Sequence, residues 1–239
     1  MSAPAASPSL AEAGADVRSM FDRVADRYDA ANRVMSAGID VLWRKKAIRW
    51  LAEDAGEHPR VLDLGAGTLD GAVEIARRMP GARVAAADFA REMLRVGRRK
   101  IREGAAIGTH AADGHSLPYR DGAFDAAFSA FCVRNFADLP RAMRELRRVV
   151  RPGGRVAILE FFRPDKTRFF FDKIYNGRVL PLVGWAVTGD RDAYRYLPDS
   201  IQRFCSRAEY ADLLREVGFA QVDTRALFPS GVATLVTAS

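Results

Sequence analysis

The chain has 239 residues, 49% of them hydrophobic, and a formal net charge of +7, which suits one sizeable domain with a full core or two small ones. Cys132 and Cys205 are far apart and form no CxxC motif. This argues against a disulfide framework or structural zinc and indicates a reducing, cytoplasmic compartment. No apolar run approaches the ~20 residues of a membrane-spanning helix.

Arginine supplies most of the positive charge, and it is spread along the chain. The densest basic stretches, RVGRRKIR from Arg95 and RAMRELRRVVR from Arg141, carry apolar residues at helical spacing. This pattern favours the solvated faces of two helices over a surface for phosphate or lipid headgroups. The charge therefore predicts no nucleic-acid partner.

Residues 1–16 are rich in Ala, Ser and Pro and predict a disordered tail that lacks the basic and apolar regions of a signal peptide. Residues 17–239 predict a single domain that opens with helices within 17–55. Val17, Phe21 and Val24 lie at helical spacing, and Asp40 is placed to cap the second helix.

Apolar runs then alternate with helical segments. The runs RVLDL from Arg60, ARVAAAD from Ala82, AIGTHAAD from Ala106, FDAAFSAF from Phe124 and GRVAILEF from Gly154 predict strands. Helices are predicted over roughly 70–79, 90–103 and 138–150. The alternation predicts a parallel, doubly wound α/β sheet whose strands are buried on both faces. A capping box at Ser206 and Glu209 predicts a last helix that ends at Gly218, followed by strands near 219–226 and 231–237.

The segment 163–204 between the fifth strand and the last helix is aromatic-rich and too long for a simple connection. It is interpreted as an insertion within the domain. A cover packed on the sheet edge and a lid over an apolar ligand remain equally open.

The motif VLDLGAGTLDGA places Asp63, Gly65 and Gly67 at a strand-to-helix turn, where the backbone approaches a nucleotide ligand closely. The next strand ends on Asp88, whose carboxylate suits ribose hydroxyls. The third strand ends on Asp113-Gly114, where an adenine has room. Three suitable strand ends in succession predict a cofactor site.

The start of the following helix narrows the choice of cofactor. Leu69 stands where a further glycine would admit a pyrophosphate, and Asp70 adds negative charge at that helix terminus. Both features fit the cationic sulfonium of S-adenosylmethionine better than a diphosphate.

The run FDAAFSAFCV ends on Arg134 and Asn135, although burying an unpaired cation costs several kcal/mol. Either the pair faces a ligand at the strand end, or Arg134 forms a structural ion pair, with Asp138 as the nearest partner. We favour the functional interpretation.

Several long motifs together resemble the C-methyltransferases of menaquinone and ubiquinone biosynthesis, from about Val17 to Leu235. They are MFDRVADRYDAANRVMSAGIDVLWRKK, FDAAFSAFCVRNFADL, RVVRPGGRVAILEF, DRDAYRYLPDSIQRF and GVATL. The resemblance implies a class I S-adenosylmethionine-dependent (Rossmann-like) fold, with a seven-stranded, mostly parallel sheet and an antiparallel last strand. It also implies C-methylation of a prenylated quinol, expected to be demethylmenaquinol to menaquinol, without a metal.

By position, the resemblance implies cofactor contacts for Asp63, Gly65, Gly67, Thr68, Asp88, Asp113, Gly114 and Ala130. Arg134 and Asn135 are the predicted catalytic residues, because they lie at the end of the fourth strand, where a donor can stabilise a phenolate or hold a water. Tyr28, Asn32, Tyr194 and Tyr196 are candidates for the substrate pocket, and each fits a capping or core position equally well. The chain departs from the family at Leu69 (usually glycine), Ala130 (serine), Asp40 (histidine) and His115 (an acid). His115 is interpreted as a loop residue outside the chemistry.

The expected partners are a prenylated quinol and, through segment 163–204, the inner face of the cell membrane; a homodimer stays open. Two alternatives remain. One is a C- or O-methyltransferase of another phenolic or polyketide ring, and the other is a methyltransferase fold kept as a non-catalytic binding module. A nucleic-acid methyltransferase would rest on charge alone.

Overall fold

The structure is a computed structural model, and it describes residues 10–163, 191–228 and 233–239. In chain order the helices are α1 Leu10–Ser36, α2 Ile39–Ala52, α3 Asp70–Arg78, α4 Arg91–Gly97, α5 Leu139–Val149, α6 Arg191–Arg203 and α7 Arg207–Glu216. The strands are β1 Arg60–Leu64, β2 Arg83–Asp88, β3 Ile107–Ala111, β4 Phe124–Ala130, β5 Val150–Phe161, β6 Val222–Ala226 and β7 Ala233–Ala238. Short 3-10 helices cover Arg98–Lys100 and Val133–Asn135.

The strands form one seven-stranded sheet in the order β3-β2-β1-β4-β5-β7-β6. The pairs β1–β2, β1–β4, β2–β3 and β4–β5 are parallel, and β7 runs antiparallel to both β5 and β6. The predicted fold, mostly parallel with an antiparallel last strand, is therefore confirmed. The chain order reverses between β1 and β4, where open α/β sheets leave a crevice at their carboxyl edge.

Side chains on alternate positions of the central strands enter two separate cores, as the period of two requires. Val61 and Ala126 pack with the buried faces of α2 and α3. Leu62 and Ala127 pack on the opposite side with α5 and α7. The sheet is thus sandwiched between two helical layers, and only its edges are left to carry polar function.

The starts of two elements and the burial of one strand differ from the sequence-based expectation. Helix α1 is already formed at Leu10, within the stretch assigned to the tail, and β5 begins at Val150. Strand β3 is not buried on both faces, because it is an edge strand and alternate side chains are exposed. The insertion 163–204 lies largely outside the described residues, and α6 is its described part.

Asp40 does not cap α2, so that prediction is wrong. The cap position is Gly38, which has a φ of 77° and so supplies no side chain to the helix terminus. The Asp40 carboxylate is buried and accepts hydrogen bonds from Ser36 (2.7 Å), Arg33 and Arg44. It therefore joins α1 to α2 instead of terminating a helix.

Leu69 adopts a left-handed backbone conformation with a φ of 67°, which costs a non-glycine residue roughly 1–2 kcal/mol. Its side chain is fully buried. A Cβ placed on Gly97 of α4 would lie 2.5 Å from Leu69 Cγ and 2.6 Å from the carbonyl carbon of Thr68. The bare backbone of Gly97 thus makes the space that the Leu69 side chain fills.

We expect Gly97→Ala to lower the free energy of unfolding by about 1–3 kcal/mol, because the added methyl overpacks the contact with Thr68 and Leu69. Urea denaturation measures the change. Arg95→Ala, at an exposed position of the same helix, is the control and should leave the transition in place. Equal stability of Gly97→Ala and the unsubstituted protein would contradict this account of the packing.

Candidate functional site

A cavity of about 820 Å³ opens at the carboxyl ends of the central strands. Five predicted site residues line it: Gly65, Asp88, Asp113, Gly114 and Asn135. Helix α1 closes one side with Arg18, Ser19, Asp22 and Arg23. The cavity thus lies where the topology predicts a ligand crevice, and a helix that precedes the sheet in the chain completes its wall.

The local backbone conformation and packing explain why glycine stands at positions 65 and 67 of the β1–α3 turn. Gly65 and Gly67 have φ values of 70° and 51°, in the region that favours glycine. A Cβ on Gly65 would lie 2.1 Å from the sulfur of Cys132 and 2.5 Å from its Cβ, so the Cys132 side chain occupies the space that a side chain at 65 would need. The Gly67 amide donates to Asp88 Oδ2 at 2.8 Å.

Asp88 is the best-held carboxylate of the cavity. Its Oδ2 accepts from the Gly67 amide and its Oδ1 from the Ala90 amide, both at 2.8 Å. Burial raises the pKa of Asp88 to about 6, against the opposing effect of these amides, and Asp22 on α1 raises it further. Each carboxylate oxygen keeps a second lone pair for a ligand hydroxyl.

Asp63, Thr68 and Ala130 are absent from the cavity lining among the residues that the structure describes. Asp63 is buried beneath the turn, and its Oδ2 has no hydrogen-bond partner. Burial raises the pKa of Asp63 to about 7, although Arg44 opposes the shift. Thr68 donates to Asp29 of α1, and Ala130 packs against the α2–α3 core. These three residues therefore support the wall of the cavity without lining it.

His115 holds Asp113 in place, which the sequence did not predict. Its amide and its Nδ1 lie 2.9 and 2.6 Å from Asp113 Oδ1, and its Nε2 accepts from the Asp138 amide at 3.1 Å. Burial disfavours the charged form and by itself would raise the pKa of Asp113, but the contacts with His115 outweigh this effect and lower the pKa. Since Nε2 accepts, the Nδ1 carries the proton and donates it to Asp113.

Arg134 forms an ion pair with Glu160 of β5, and the expected partner Asp138 is wrong. Arg134 Nη1 lies 2.7 Å from Glu160 Oε1, and the two side chains are 6% and 0% exposed. Asp138 instead caps α5 by accepting from the Arg141 amide at 3.0 Å. The guanidinium charge is thus already balanced inside the protein.

Together with the Glu160 pair, the other hydrogen bonds of Arg134 connect the ends of β4 and β5 to α6. Nη1 also donates to the Phe131 carbonyl at 2.7 Å, and Nε donates to Ser200 Oγ of α6 at 3.2 Å. Burial disfavours the guanidinium charge, yet Glu160 and the neighbouring tyrosines outweigh it and raise the pKa of Arg134. Nη2 makes no hydrogen bond to any residue in the described ranges, so it is the nitrogen left for a ligand.

Three of the four predicted substrate residues gather around Arg134 and Asn135. The Tyr196 hydroxyl donates to Asn135 Oδ1 at 3.0 Å. Tyr28 is hydrogen-bonded to Asn32, and the charge of Arg134 acts on both tyrosines. Burial raises the pKa of both phenols, so they remain protonated donors at neutral pH. The Tyr194 side chain lies outside the described part of the structure.

Asp70 does not present a free negative charge to the cavity, which corrects the electrostatic argument for the cofactor. Arg33 Nη2 and Lys100 Nζ each lie 2.7 Å from its carboxylate oxygens. Burial opposes the carboxylate, but Arg44, Lys100 and Arg33 lower the pKa of Asp70. Lys100 also pairs with Asp29 of α1. This network fastens α1 to the start of α3.

Within residues 10–163, 191–228 and 233–239, no three His, Cys, Asp or Glu side chains are grouped to hold a metal ion. No helix in these ranges is long and apolar enough to cross a membrane.

The fold is that of the S-adenosylmethionine-dependent methyltransferases. A solved methyltransferase from Thermotoga maritima, described as a possible histamine N-methyltransferase, superposes with a TM-score of 0.64 at 19% identity, covering 92% of this chain and 98% of that one. The cyclase SpnF superposes with a TM-score of 0.62 at 20% identity, covering 95% and 78% of the two chains. At such identities the likeness concerns the fold alone.

The sequence defines the family within that class. The model of the ubiE/COQ5 methyltransferase family matches residues 10–239, and the chain belongs to this family. A demethylmenaquinone methyltransferase of Thermus thermophilus is 43% identical over 203 residues, which cover 84% of this chain and 91% of the relative. The ubiquinone/menaquinone biosynthesis C-methyltransferase UbiE of Paracoccus denitrificans is 38% identical over 224 residues, covering 92% and 88%. The resemblance predicted from the motifs is confirmed.

We expect Glu160→Ala to lower the free energy of unfolding by about 3–5 kcal/mol, because it leaves the buried Arg134 guanidinium without a counter-charge. The double variant Arg134→Met/Glu160→Leu should recover most of the loss. Chemical denaturation of the three proteins makes the comparison. Asp212→Ala, which breaks the exposed pair with Arg215, is the control for a lost ion pair and should change little. A double variant as unstable as Glu160→Ala would contradict the account.

Proposed function

We propose that this protein transfers the methyl group of S-adenosylmethionine to a ring carbon of a prenylated quinol and converts demethylmenaquinol into menaquinol. The observation that carries the proposal is the cavity that Asp88, Asp113 and Asn135 line. Arg134 does not itself line this cavity; it precedes Asn135 in the chain and pairs with Glu160. Membership of the ubiE/COQ5 family and the names of the relatives support the same reaction. The ring is the point on which the relatives differ, and the naphthoquinol is our choice.

The residues that line the cavity fit S-adenosylmethionine. Asp88 offers two carboxylate oxygens with free lone pairs for the ribose hydroxyls, and Asp113 and Gly114 border the place of the adenine. Gly65 keeps the turn free of a side chain on this wall. The cosubstrate would supply an electrophilic methyl group on its sulfonium. We assign Asp63, Gly67, Thr68 and Ala130 a supporting role, since they hold the turn and Asp88 from behind.

Arg134 would act on the quinol as an oriented hydrogen-bond donor. A ring carbon becomes nucleophilic when the hydroxyl beside it loses its proton, and a donor aimed at that oxygen stabilises the phenolate. Because Glu160 neutralises the guanidinium, the pair adds no net charge. The orientation of the Arg134 N–H group towards the quinol oxygen therefore matters more than the electrostatic field of its charge. Nη2 is the available nitrogen. A buried donor that is already fixed by three partners needs little reorganisation during the reaction.

Asn135 and Tyr196 would position the ring and the departing proton. Their mutual hydrogen bond fixes the Asn135 amide, and its NH₂ group donates to no residue in the described ranges, which leaves it for a ligand or water. Arg134 stays protonated and cannot itself be the base, so a water held by Asn135 is the acceptor that we assign to the ring proton. Tyr28 and Asn32 would form the wall on the α1 side.

We expect the affinity for S-adenosylmethionine to fall below pH 6, by up to about tenfold per pH unit, because protonation of Asp88 removes acceptors for the ribose. Titration calorimetry at a series of pH values measures this. Asp63 and Asp22 are also titratable and lie nearby, so Asp88→Asn is the decisive comparison. It should bind weakly with a flat pH profile. An unchanged affinity would remove Asp88 from the site.

We expect Arg134→Gln/Glu160→Gln to bind S-adenosylmethionine normally and to lose about 10²–10³-fold in kcat with reduced demethylmenaquinone. Replacing both partners avoids a stranded buried charge. Mass spectrometry of the product measures turnover. Asp212→Asn/Arg215→Gln, which neutralises an exposed ion pair on α7, is the matched control and should be fully active. Full activity of the first double variant would refute the role given to Arg134.

A further inference from the structure

The exposed large hydrophobic side chains of the described residues are all found at one corner of the molecule. They are Val34, Leu42 and Phe228, which are 55%, 63% and 87% exposed. Val34 lies in the last turn of α1 and Leu42 in the first turn of α2. Phe228 joins them because its carbonyl accepts from Trp43 Nε1 at 2.8 Å. We call this group the α1–α2 corner.

The corner continues into a cationic face of α2. Leu42, Lys46 and Arg49 lie at i, i+4 and i+7, on the side of the helix opposite to the buried Ala47 and Leu51, and all three are exposed. No salt bridge within the described part of the chain involves Lys46 or Arg49. Asp40, the one acidic residue of α2, is buried and bound by arginines. Glu53, four residues after Arg49, lies 3.8 Å from Arg155. An apolar tip thus stands beside two cationic side chains that form no salt bridge with the described residues.

Aromatic side chains lead from the corner to the reaction centre. Trp43 meets the ring of Phe161 edge-on, with the centroids 6.3 Å apart. Phe161 stacks on Phe131 at 4.7 Å, and the Phe131 carbonyl accepts from Arg134 Nη1. Phe131 and Phe161 are half-buried, so part of each ring is available to a ligand. Trp43 is buried and supports this pair, so Phe161 and Phe131 are the members that offer apolar surface next to Arg134.

We infer that the α1–α2 corner docks on an anionic lipid bilayer, and that the prenyl tail of the quinol reaches Arg134 over the half-buried rings of Phe161 and Phe131. Leu42 and Phe228 enter the acyl boundary, while Lys46 and Arg49 meet the anionic headgroups. The inference rests on the proposed function for the tail, but the docking itself rests on the surface alone. It places a membrane contact on a face that the structure describes, in addition to the one predicted for the insertion 163–204, most of which lies outside the described residues.

Cosedimentation of the full chain with phosphatidylglycerol vesicles, compared with phosphatidylcholine vesicles, tests the docking without any substrate. We expect binding to the anionic vesicles only. Lys46→Gln/Arg49→Gln should reduce the partition coefficient about 30-fold, and Leu42→Ser/Phe228→Ser about tenfold or more. Arg83→Gln/Arg102→Gln removes the same charge from exposed positions at the amino-terminal edge of the sheet and should bind like the unsubstituted protein.

Two results would overturn the docking: no binding of the unsubstituted protein to phosphatidylglycerol vesicles, or equal binding by all variants. A dimer in light scattering that Leu42→Ser/Phe228→Ser dissociates would assign the corner to a second copy of the chain. Methyl transfer separates this inference from the proposed function. The corner variants should keep their turnover of a short-tailed quinol in solution and show a raised KM for a long-tailed quinol in vesicles. Loss of turnover with both quinols, or with neither, would contradict the path for the tail.

Discussion

The guanidinium of Arg134 and the carboxylate of Glu160 are buried together at the carboxyl edge of the sheet, and much of the surrounding geometry satisfies their demands. A buried ion pair is tolerated only where its remaining donors and acceptors are bonded. The backbone amides of Arg134 and Phe161 both turn towards Glu160, and Ser200 of α6 supplies a further acceptor to Arg134. To reach this position the chain leaves β4 through Phe131, which has a φ of 56°. The left-handed backbone at Phe131, the 3-10 turn that follows it and the contact with α6 therefore all help to keep the buried ion pair hydrogen-bonded.

Much of this architecture could be predicted from the sequence because it is determined by local pattern. The apolar runs of β1, β2 and β4 are long enough to specify buried strands, and the Ser206–Glu209 capping box is present as predicted. Gly65 and Asp88 follow strands directly, so the topology alone brings them to one cavity. The local pattern was sufficient to predict contacts between residues that are close in the chain or that lie at the ends of adjacent strands.

The remaining features depend on register and on helix placement, which no single sequence displays. Glu160 faces Arg134 because Ala130 pairs with Leu159 in the β4–β5 ladder, a relation that sequence distance hides. Asp70 looks like a free charge at a helix terminus until Arg33 arrives on α1. Asp40 looks like a cap until the turn places Gly38 at that position. In each case the sequence shows the acidic residue, but its contacts, and therefore its role, depend on residues of another helix or strand.

The contact between Leu69 and Gly97 has a consequence for how this sequence can change. The left-handed Leu69 fills the space that a side chain at position 97 would occupy, so the two positions share one volume. A glycine at 69 would relieve the backbone but leave that volume empty, and a side chain at 97 would still lie 2.6 Å from the carbonyl carbon of Thr68 and 2.7 Å from its oxygen. Substitution at 69 therefore exchanges backbone strain for a void without opening position 97 to a side chain. Position 97 is limited to glycine by the backbone of Thr68, whichever residue stands at 69.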